Sequence, residues 1–354
     1  MNQTELTESA IALLKELISI ESFSKEEDKT ADAIQAWLGK YNIPTERDLN
    51  NIIAKNKYWD ESKPTLLLNS HHDTVKPNTA YTKDPFLPHI EDGKLFGLGS
   101  NDAGGPLVSL LATFVNYYHD ENLSHNILMV ASAEEENAGE NSLRGLLPKL
   151  PHIDVAIVGE PTLMQLAIAE KGLVVFDAVV KGTPSHAAHP NEDNSIYNSI
   201  KVLEWFKNYT FEKSSEALGD VKMTVTQISA GSQHNVVPAQ VDMVVDVRVN
   251  DAYSNKEIAD LLKKDAPCEL KERSLRLNSS KIEKDHPLVK SGIALGRTTY
   301  GSPTLSDQAA LSCQSLKLGP GDSTRSHSAN EFIYVHEIEE GIDLYIKILK
   351  GFLH

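Results

Sequence analysis

The sequence predicts an α/β fold: a mostly parallel sheet flanked by helices, interrupted by an inserted α+β domain of ferredoxin-like pattern. Three observations predict it. Short apolar runs alternate with helix-periodic segments as far as Val158; after Gly172 the strands show apolar–polar alternation in the order β-α-β-β-α-β; and the first style returns from His286 onward.

Taken in order, Leu6–Ile18 carries Ile11, Leu14 and Ile18 on one helical face, and Thr30–Leu38 reads as a second helix. Thr65–Asn69, bounded by Pro64, is a fully apolar strand; Ile127–Ala133 and Val155–Val158 are two more, with a buried helix at Leu107–Tyr118. In the inserted part, Leu173–Lys181, Val221–Ser229, Gln240–Val249 and Cys268–Leu277 are strands, and Ser195–Phe206 and Asn255–Lys263 are helices. Helices at His286–Leu295, Asp307–Leu311 and Ile338–Phe352 and a strand at Leu316–Leu318 complete the first style. The expected division is a discontinuous domain of residues 1–172 and 285–354 around an insert of residues 173–284.

With 354 residues the chain has room for two domains, and 40% apolar residues describe an ordinary globular protein. Its 34 basic against 50 acidic residues, a net charge of -16, repel phosphate backbones and anionic lipid, so nucleic-acid and membrane partners are not expected. No run approaches the ~20 apolar residues of a membrane span. Met1–Leu17 lacks the basic start and apolar core of a secretory signal, and Cys268 and Cys313 are isolated, so a cytoplasmic location is expected.

Polar residues able to bind metal gather where the α/β strands end, the usual place for ligand sites in such sheets. Ser70-His71-His72-Asp73 follows the first apolar strand; His71 and Asp73 point the same way on extended chain, His72 the other. Asp102 is the one carboxylate in Gly97–Gly105, just before a helix. Glu134-Glu135-Glu136 crowds three carboxylates after another strand, a repulsion that nearby cations would relieve. Gly159-Glu160-Pro161-Thr162 ends a third strand, and Arg325-Ser326-His327-Ser328-Ala329-Asn330-Glu331 lies near the C-terminus. Taken singly, each is as well read as satisfied loop polars, a helix N-cap or a solvated acidic loop. Together they supply His71, Asp102, Glu136, Glu160 and His327, a mixed histidine and carboxylate set that suits two divalent ions, zinc first and cobalt or manganese next.

In these motifs the chain resembles the M20 metallopeptidase and deacylase family over essentially its whole length. The resemblance implies a zinc-exopeptidase-like catalytic domain in which His71 and Glu160 hold one metal, Glu136 and His327 the other, and Asp102 bridges them. It implies that Asp73 orients His71 and that Glu135 is the general base. In the insert, Gly182-Thr183-Pro184-Ser185-His186-Ala187 matches a family stretch whose histidine, here His186, stabilises the oxyanion, often across a dimer. Asn235 and Arg248 match positions that contact substrate, and a homodimer through the insert is implied. Ser70, Leu98 and Glu134 stand where Gly, Arg and Asp are commoner, departures that remove neither a ligand nor the base.

The expected reaction is removal of the acyl group from an N-acyl amino acid. The acetylornithine deacetylase-like branch is the nearest in pattern, which points to acetylornithine, or an acetyl- or succinyl-citrulline analogue, in arginine biosynthesis. Arg248 and Arg325 are the candidates for pairing a substrate carboxylate. A dipeptidase or aminopeptidase on the same site, or a succinyl-diaminopimelate desuccinylase, are the alternatives. A catalytically dead binding protein is disfavoured, because base and ligands are all present.

Overall fold

The computed structural model describes residues 2–354 and resolves into two compact units. One comprises residues 2–168, Lys281–Tyr300 and Ser306–His354; the other comprises Ala169–Ser280 and Gly301–Leu305. The second unit thus begins a few residues before the change of pattern at Gly172, because strand Leu166–Glu170 gives way to strand Gly172–Lys181 with no linker to mark the passage. It also takes in Ser302, whose carbonyl accepts the Lys171 N–H at 3.1 Å.

In the first unit, strand Thr65–His71 pairs in parallel with Asn126–Ser132 on one side and Val155–Val158 on the other. Gln314–Lys317 continues the parallel set beside Val155–Val158. Antiparallel strands flank it: Asn51–Lys55 with its hairpin partner Glu46–Asp48 at one side, Leu166–Glu170 at the other. Thr65–His71 and Asn126–Ser132 are buried at every position, as expected of parallel strands covered on both faces. Helix Gln3–Ile18 is capped by Asn2, whose side chain accepts the Thr4 N–H. It joins helices Asp28–Gly39, Gly105–Tyr117 and Val335–Leu353 in one apolar core with the sheet. The last of these buries Ile338, Ile342, Tyr345, Ile348 and Leu349 at helical spacing. The four parallel strands all deliver their carboxyl ends to the same side of the sheet, which is what positions the site.

The second unit is an antiparallel sheet in the order Lys222–Ala230, Gln240–Val249, Gly172–Lys181, Glu269–Glu272. With helices Ser195–Asn208 and Asn255–Asp265 this is the split β-α-β-β-α-β arrangement. Its central strands alternate buried and part-exposed residues, and Val174, Phe176, Val245 and Val247 lead a separate core.

Several expectations differ from what is observed. The strand expected over Cys268–Leu277 is regular only over Glu269–Glu272, and the helix expected at Asp307–Leu311 is a 3₁₀ turn over Asp307–Ala310. The hairpin Glu46–Lys55 and the small sheet of His89–Glu91, Lys94–Phe96 and Phe332–Tyr334 were not anticipated, since runs of three to five residues carry no clear period.

Candidate metal centre

Each ligand candidate leaves the sheet at a strand's carboxyl end or from a loop held against it. His71 is the last residue of its strand. Its Nδ1 donates to the Asp73 backbone oxygen at 3.0 Å and lies 3.3 Å from Asp73 Oδ1, which leaves Nε2 for a cation. Nε2 faces three carboxylates: Asp102 Oδ1 at 3.3 Å, Glu135 Oε2 at 3.9 Å and Glu160 Oε1 at 3.9 Å. His72 turns away; its ring lies between Thr30 Oγ1 and the Asn50 carbonyl, both at 2.9 Å, and burial pushes its pKa down to about 4.

Asp102 sits in an irregular turn ahead of helix Gly105–Tyr117, and its side chain caps no helix. The peptide after it is cis. Gly99 opens the turn at φ +72°, and a Cβ there would stand 2.5 Å from Thr74 Cγ2. Asp102 Oδ1 faces His71, whereas Oδ2 lies 3.7 Å from His327 Nε2. His327 in turn lies 3.1 Å from Glu136 Oε2. One carboxylate therefore offers an oxygen to each of two histidine–glutamate groups, the arrangement a pair of cations requires.

The three consecutive glutamates divide their work. Glu134 has φ +54° and turns into its own loop, accepting from Asn141 Nδ2 at 2.8 Å. Glu135 points to His71 and Glu136 to His327. Asp73 holds both in place: its carboxylate accepts the backbone N–H of Glu135 at 3.0 Å and of Glu136 at 3.1 Å, as well as the Ser24 hydroxyl at 2.7 Å.

The electrostatics ask for positive charge. Burial, and then the charges of Glu160, Asp307 and Glu136, push Glu135 well above the usual carboxylate range. Burial and the charge of Asp102 push Glu160 up to about 8. Burial works against a protonated His71, but hydrogen bonds to Asp102 and Asp73 outweigh it and raise its pKa well above the ordinary value. The hydrogen bond with Glu136 raises His327 to about 9. Protons on these rings stand where cations would neutralise the same carboxylates. Single ligand atoms of His71, Asp102 and Glu136 all lie within 4.8 Å of one another, so the donors fit a metal centre.

Two residues of this neighbourhood had no assigned role in the sequence. Glu331, 2% exposed, accepts the backbone N–H groups of Gly99 at 3.2 Å, Asn101 at 2.8 Å and Asp102 at 2.9 Å. It fixes the turn that carries Asp102 to the loop that carries His327. Asp307 accepts the Ser132 hydroxyl at 2.6 Å, and burial pushes it up to about 6. Adjacency to a strand end was the signal for Asp307's partner Ser132; nothing local marked Glu331 beyond its place four residues after His327.

Arg325 places its Nη atoms on Glu337 at 2.7 and 2.9 Å and lies over the rings of Phe332 and Tyr334, so its guanidinium is already engaged. His186, Asn235 and Arg248 belong to the second unit. His186 is exposed on a two-residue strand paired with Val236–Val237, and the Asn235 carbonyl accepts the Ala187 N–H at 2.9 Å, which brings these two residues close to each other. Arg248 is half-exposed and bidentate to Asp246 at 2.9 and 3.1 Å.

Fold and site together define a metal-dependent hydrolase acting on amide bonds. The chain belongs to peptidase family M20/M25/M40, whose profile matches residues 67–351. It is 25% identical to a succinyl-diaminopimelate desuccinylase of Wolbachia pipientis over 377 aligned positions, 97% of this chain and 93% of that one. It is 24% identical to the enzyme of the same name from Rickettsia bellii, covering 95% of each chain. Among solved structures it resembles a tripeptidase from Staphylococcus aureus (TM-score 0.74, 19% identity, 97% of this chain and 98% of that one). A dinuclear metal-binding M20 peptidase from Bacillus subtilis is similar too (TM-score 0.75, 14% identity, 99% of each). These curated relatives are desuccinylases, not acetylornithine deacetylases, so the expected acetylornithine branch and its arginine-biosynthetic role find no support. No helix among the described residues is long and apolar enough to cross a membrane.

Proposed function

We propose that the protein is an N-acyl amino acid deacylase with two divalent metal ions, and that an N-succinyl diamino acid is its preferred substrate class. The observation that carries the reading is Asp102, one oxygen of which faces His71 and the other His327. In this reading His71, Asp102 and Glu160 hold one ion, and Glu136, Asp102 and His327 the other, with zinc the best match to the donors. When bound, the ions supply Lewis acidity to the scissile carbonyl and to the attacking water. Glu135 takes the proton from that water and returns it to the leaving nitrogen. Asp73 keeps His71 in the tautomer that frees Nε2 and fixes the backbone beneath Glu135. His186 steadies the oxyanion, and Asn235 and Arg248 read the substrate, Arg248 through its match to a carboxylate. Arg325, engaged by Glu337, reaches substrate in this reading only by exchanging that partner.

A homodimer through the second unit is part of the reading. Edge strand Lys222–Ala230 leaves one side unpaired and exposes Ile228, and helix Ser195–Asn208 exposes Ile196, Tyr197 and Ile200. A cytoplasmic location accords with it.

The test is a substrate panel on zinc-loaded protein: N-succinyl-diaminopimelate, N-acetylornithine, N-acetylcitrulline and free di- and tripeptides. Deacylation of the succinyl compound with little action on peptides supports the proposal. Preferential cleavage of unblocked peptides supports the second reading, a peptidase, which the family's name favours.

A further inference from the structure

We propose that Glu27 is a positioning residue of the metal centre: it holds Glu134 in the left-handed conformation that sends Glu135 and Glu136 to separate histidines. The proposal rests on the two-metal reading above. It starts from residues 133–136, whose four consecutive backbone N–H groups all meet side-chain acceptors. Ala133 donates to Asn51 Oδ1 at 3.0 Å, Glu134 to Glu27 Oε1 at 3.2 Å, and Glu135 and Glu136 to the Asp73 carboxylate at 3.0 and 3.1 Å. A loop whose amides are satisfied by side chains takes its shape from those side chains. Asp73 fixes the two amides that follow Glu134; Glu27 fixes the amide of Glu134 itself.

Glu27 immediately precedes helix Asp28–Gly39, where an acidic residue ordinarily caps the helix, yet its side chain makes no capping bond. The carboxylate is fully buried and is spent elsewhere. Its Oε1 accepts the Lys25 N–H at 2.6 Å as well as the Glu134 N–H, and its Oε2 accepts Asn50 Nδ2 at 2.9 Å. Lys25 has φ +83° and Glu134 φ +54°. One oxygen thus holds the amides of two residues in the left-handed region, which a residue with a Cβ avoids unless its surroundings impose it. At an ordinary negative φ, Glu134 would leave Asn141 and the chain would enter Glu135 in another direction, so that the next two carboxylates would miss His71 and His327. The same short segment supplies Ser24, whose hydroxyl donates to Asp73 at 2.7 Å, so residues 24–27 support both acids that shape the loop. His72 gains a role as well. Its ring lies between Thr30, whose hydroxyl is 3.0 Å from the Glu27 carbonyl oxygen, and Asn50, and so ties together the two neighbours of Glu27.

The experiment separates reach from charge. Glu27→Gln keeps an acceptor oxygen at the same reach and loses the charge, and the Asn50 amide can turn over to accept from the new N–H₂ group. Glu27→Asp keeps the charge and draws the acceptor back by one methylene. Two quantities are measured on the full-length protein: turnover of the best substrate in the panel, and the affinity for each cobalt ion by absorption titration against a chelator. Glu27→Gln stays within about threefold of the wild type in both. Glu27→Asp lowers kcat by about thirtyfold at unchanged KM and weakens one of the two cobalt ions by about tenfold. Adding Glu134→Gly, which reaches positive φ without an acceptor to hold it there, recovers about tenfold of the kcat lost in Glu27→Asp. The proposal is overturned by a Glu27→Asp protein with wild-type turnover and cobalt affinity, by a Glu27→Gln protein impaired as much as Glu27→Asp or more, or by no recovery on adding Glu134→Gly. Loss of the fold in either Glu27 variant, read by circular dichroism, also overturns it, because Glu27 would then serve the core and not the loop. Fewer than two cobalt ions per wild-type chain would overturn the two-metal reading along with it, a result told apart from the others because it appears without any substitution.

Discussion

The two sheets of this protein solve the same burial problem in opposite ways. In the first unit Thr65–His71 and Asn126–Ser132 are buried at every position; in the second, Gly172–Lys181 and Gln240–Val249 alternate. A strand covered on both faces gives its whole length to the core, and only its carboxyl end is left to carry polar chemistry. There the polar residues are buried as well: His71, Asp73, Ser132 and Glu331 are at most 2% exposed. An alternating strand keeps a solvated face, and its charges pair there, as Arg273 does with Asp177 and Arg248 with Asp246. An exposed pair such as Arg273 with Asp177 contributes little to stability and by itself carries no sign of function, so Arg248 is distinguished by its position and not by its pairing. Buried carboxylates with raised pKa values do ask for one, and a pair of cations supplies it. The same residue types thus signal function by their burial in the first unit, a signal that the charges of the second unit do not carry.

The strongest way to break that contrast is to neutralise the part-buried acid that faces His71 yet holds no metal in the proposed reading. Glu135→Gln is expected to lower turnover by about a thousandfold while elemental analysis finds the wild-type metal content. Loss of metal instead would make Glu135 a ligand and undo the division of labour among the three glutamates. Next in size is the effect of the metals themselves. At a hundredfold excess over its Kd, each bound zinc ion should stabilise the folded first unit by about 2.7 kcal/mol over the chelated protein. Hydrogen exchange should then slow in strands Thr65–His71 and Asn126–Ser132 and stay unchanged in Gly172–Lys181 and Gln240–Val249. Equal slowing in both sheets would show that the metal effect is not confined to the unit with the buried acids.

How far the sequence reveals this depends on whether the signal is a side chain or its surroundings. The apolar runs before His71, Glu134 and Gly159 mark strands, and the polar clusters after them mark strand ends, so the ligand set is legible once the clusters are taken together. The order β-α-β-β-α-β is legible for the same reason, because alternation is a property of side chains. The allocation of Glu134, Glu135 and Glu136 is legible only through the family resemblance; the residues alone leave it open, because it turns on a positive φ at Glu134, which directs that carboxylate to Asn141. Glu331 lies in a quoted cluster, yet its partners are backbone N–H groups at Gly99, Asn101 and Asp102, and a sequence does not show which amides lack an acceptor. Arg325 displays a guanidinium in sequence, but that Glu337 already faces it emerges only in three dimensions, whereas Asp246 and Arg248, two apart on a strand, share a face by period alone.

Glu331 gives the third prediction. Glu331→Gln keeps the shape but replaces one acceptor oxygen by an N–H₂ group that faces backbone donors. The loss is expected to be about 1–3 kcal/mol of stability, with weaker metal binding at Asp102 measured by competition with a chelator. Unchanged metal affinity would mean that the turn carrying Asp102 holds its form without this acceptor.

The smallest expected effect tests the other side of the contrast. Ser254 caps helix Asn255–Asp265 in a reciprocal box: its hydroxyl accepts the Glu257 N–H at 3.1 Å, and the Glu257 carboxylate accepts the Ser254 N–H at 2.7 Å. Ser254→Ala removes one half of the box and should cost about 1 kcal/mol. Because the cap is exposed and lies in the second unit, the cost should appear as faster exchange along Asn255–Asp265, with metal content and turnover of the first unit as in the wild type. A fall in metal content from so small a change would mean that the stability of the second unit sets the affinity of the first, and the two sheets would then have to be treated as one cooperative structure.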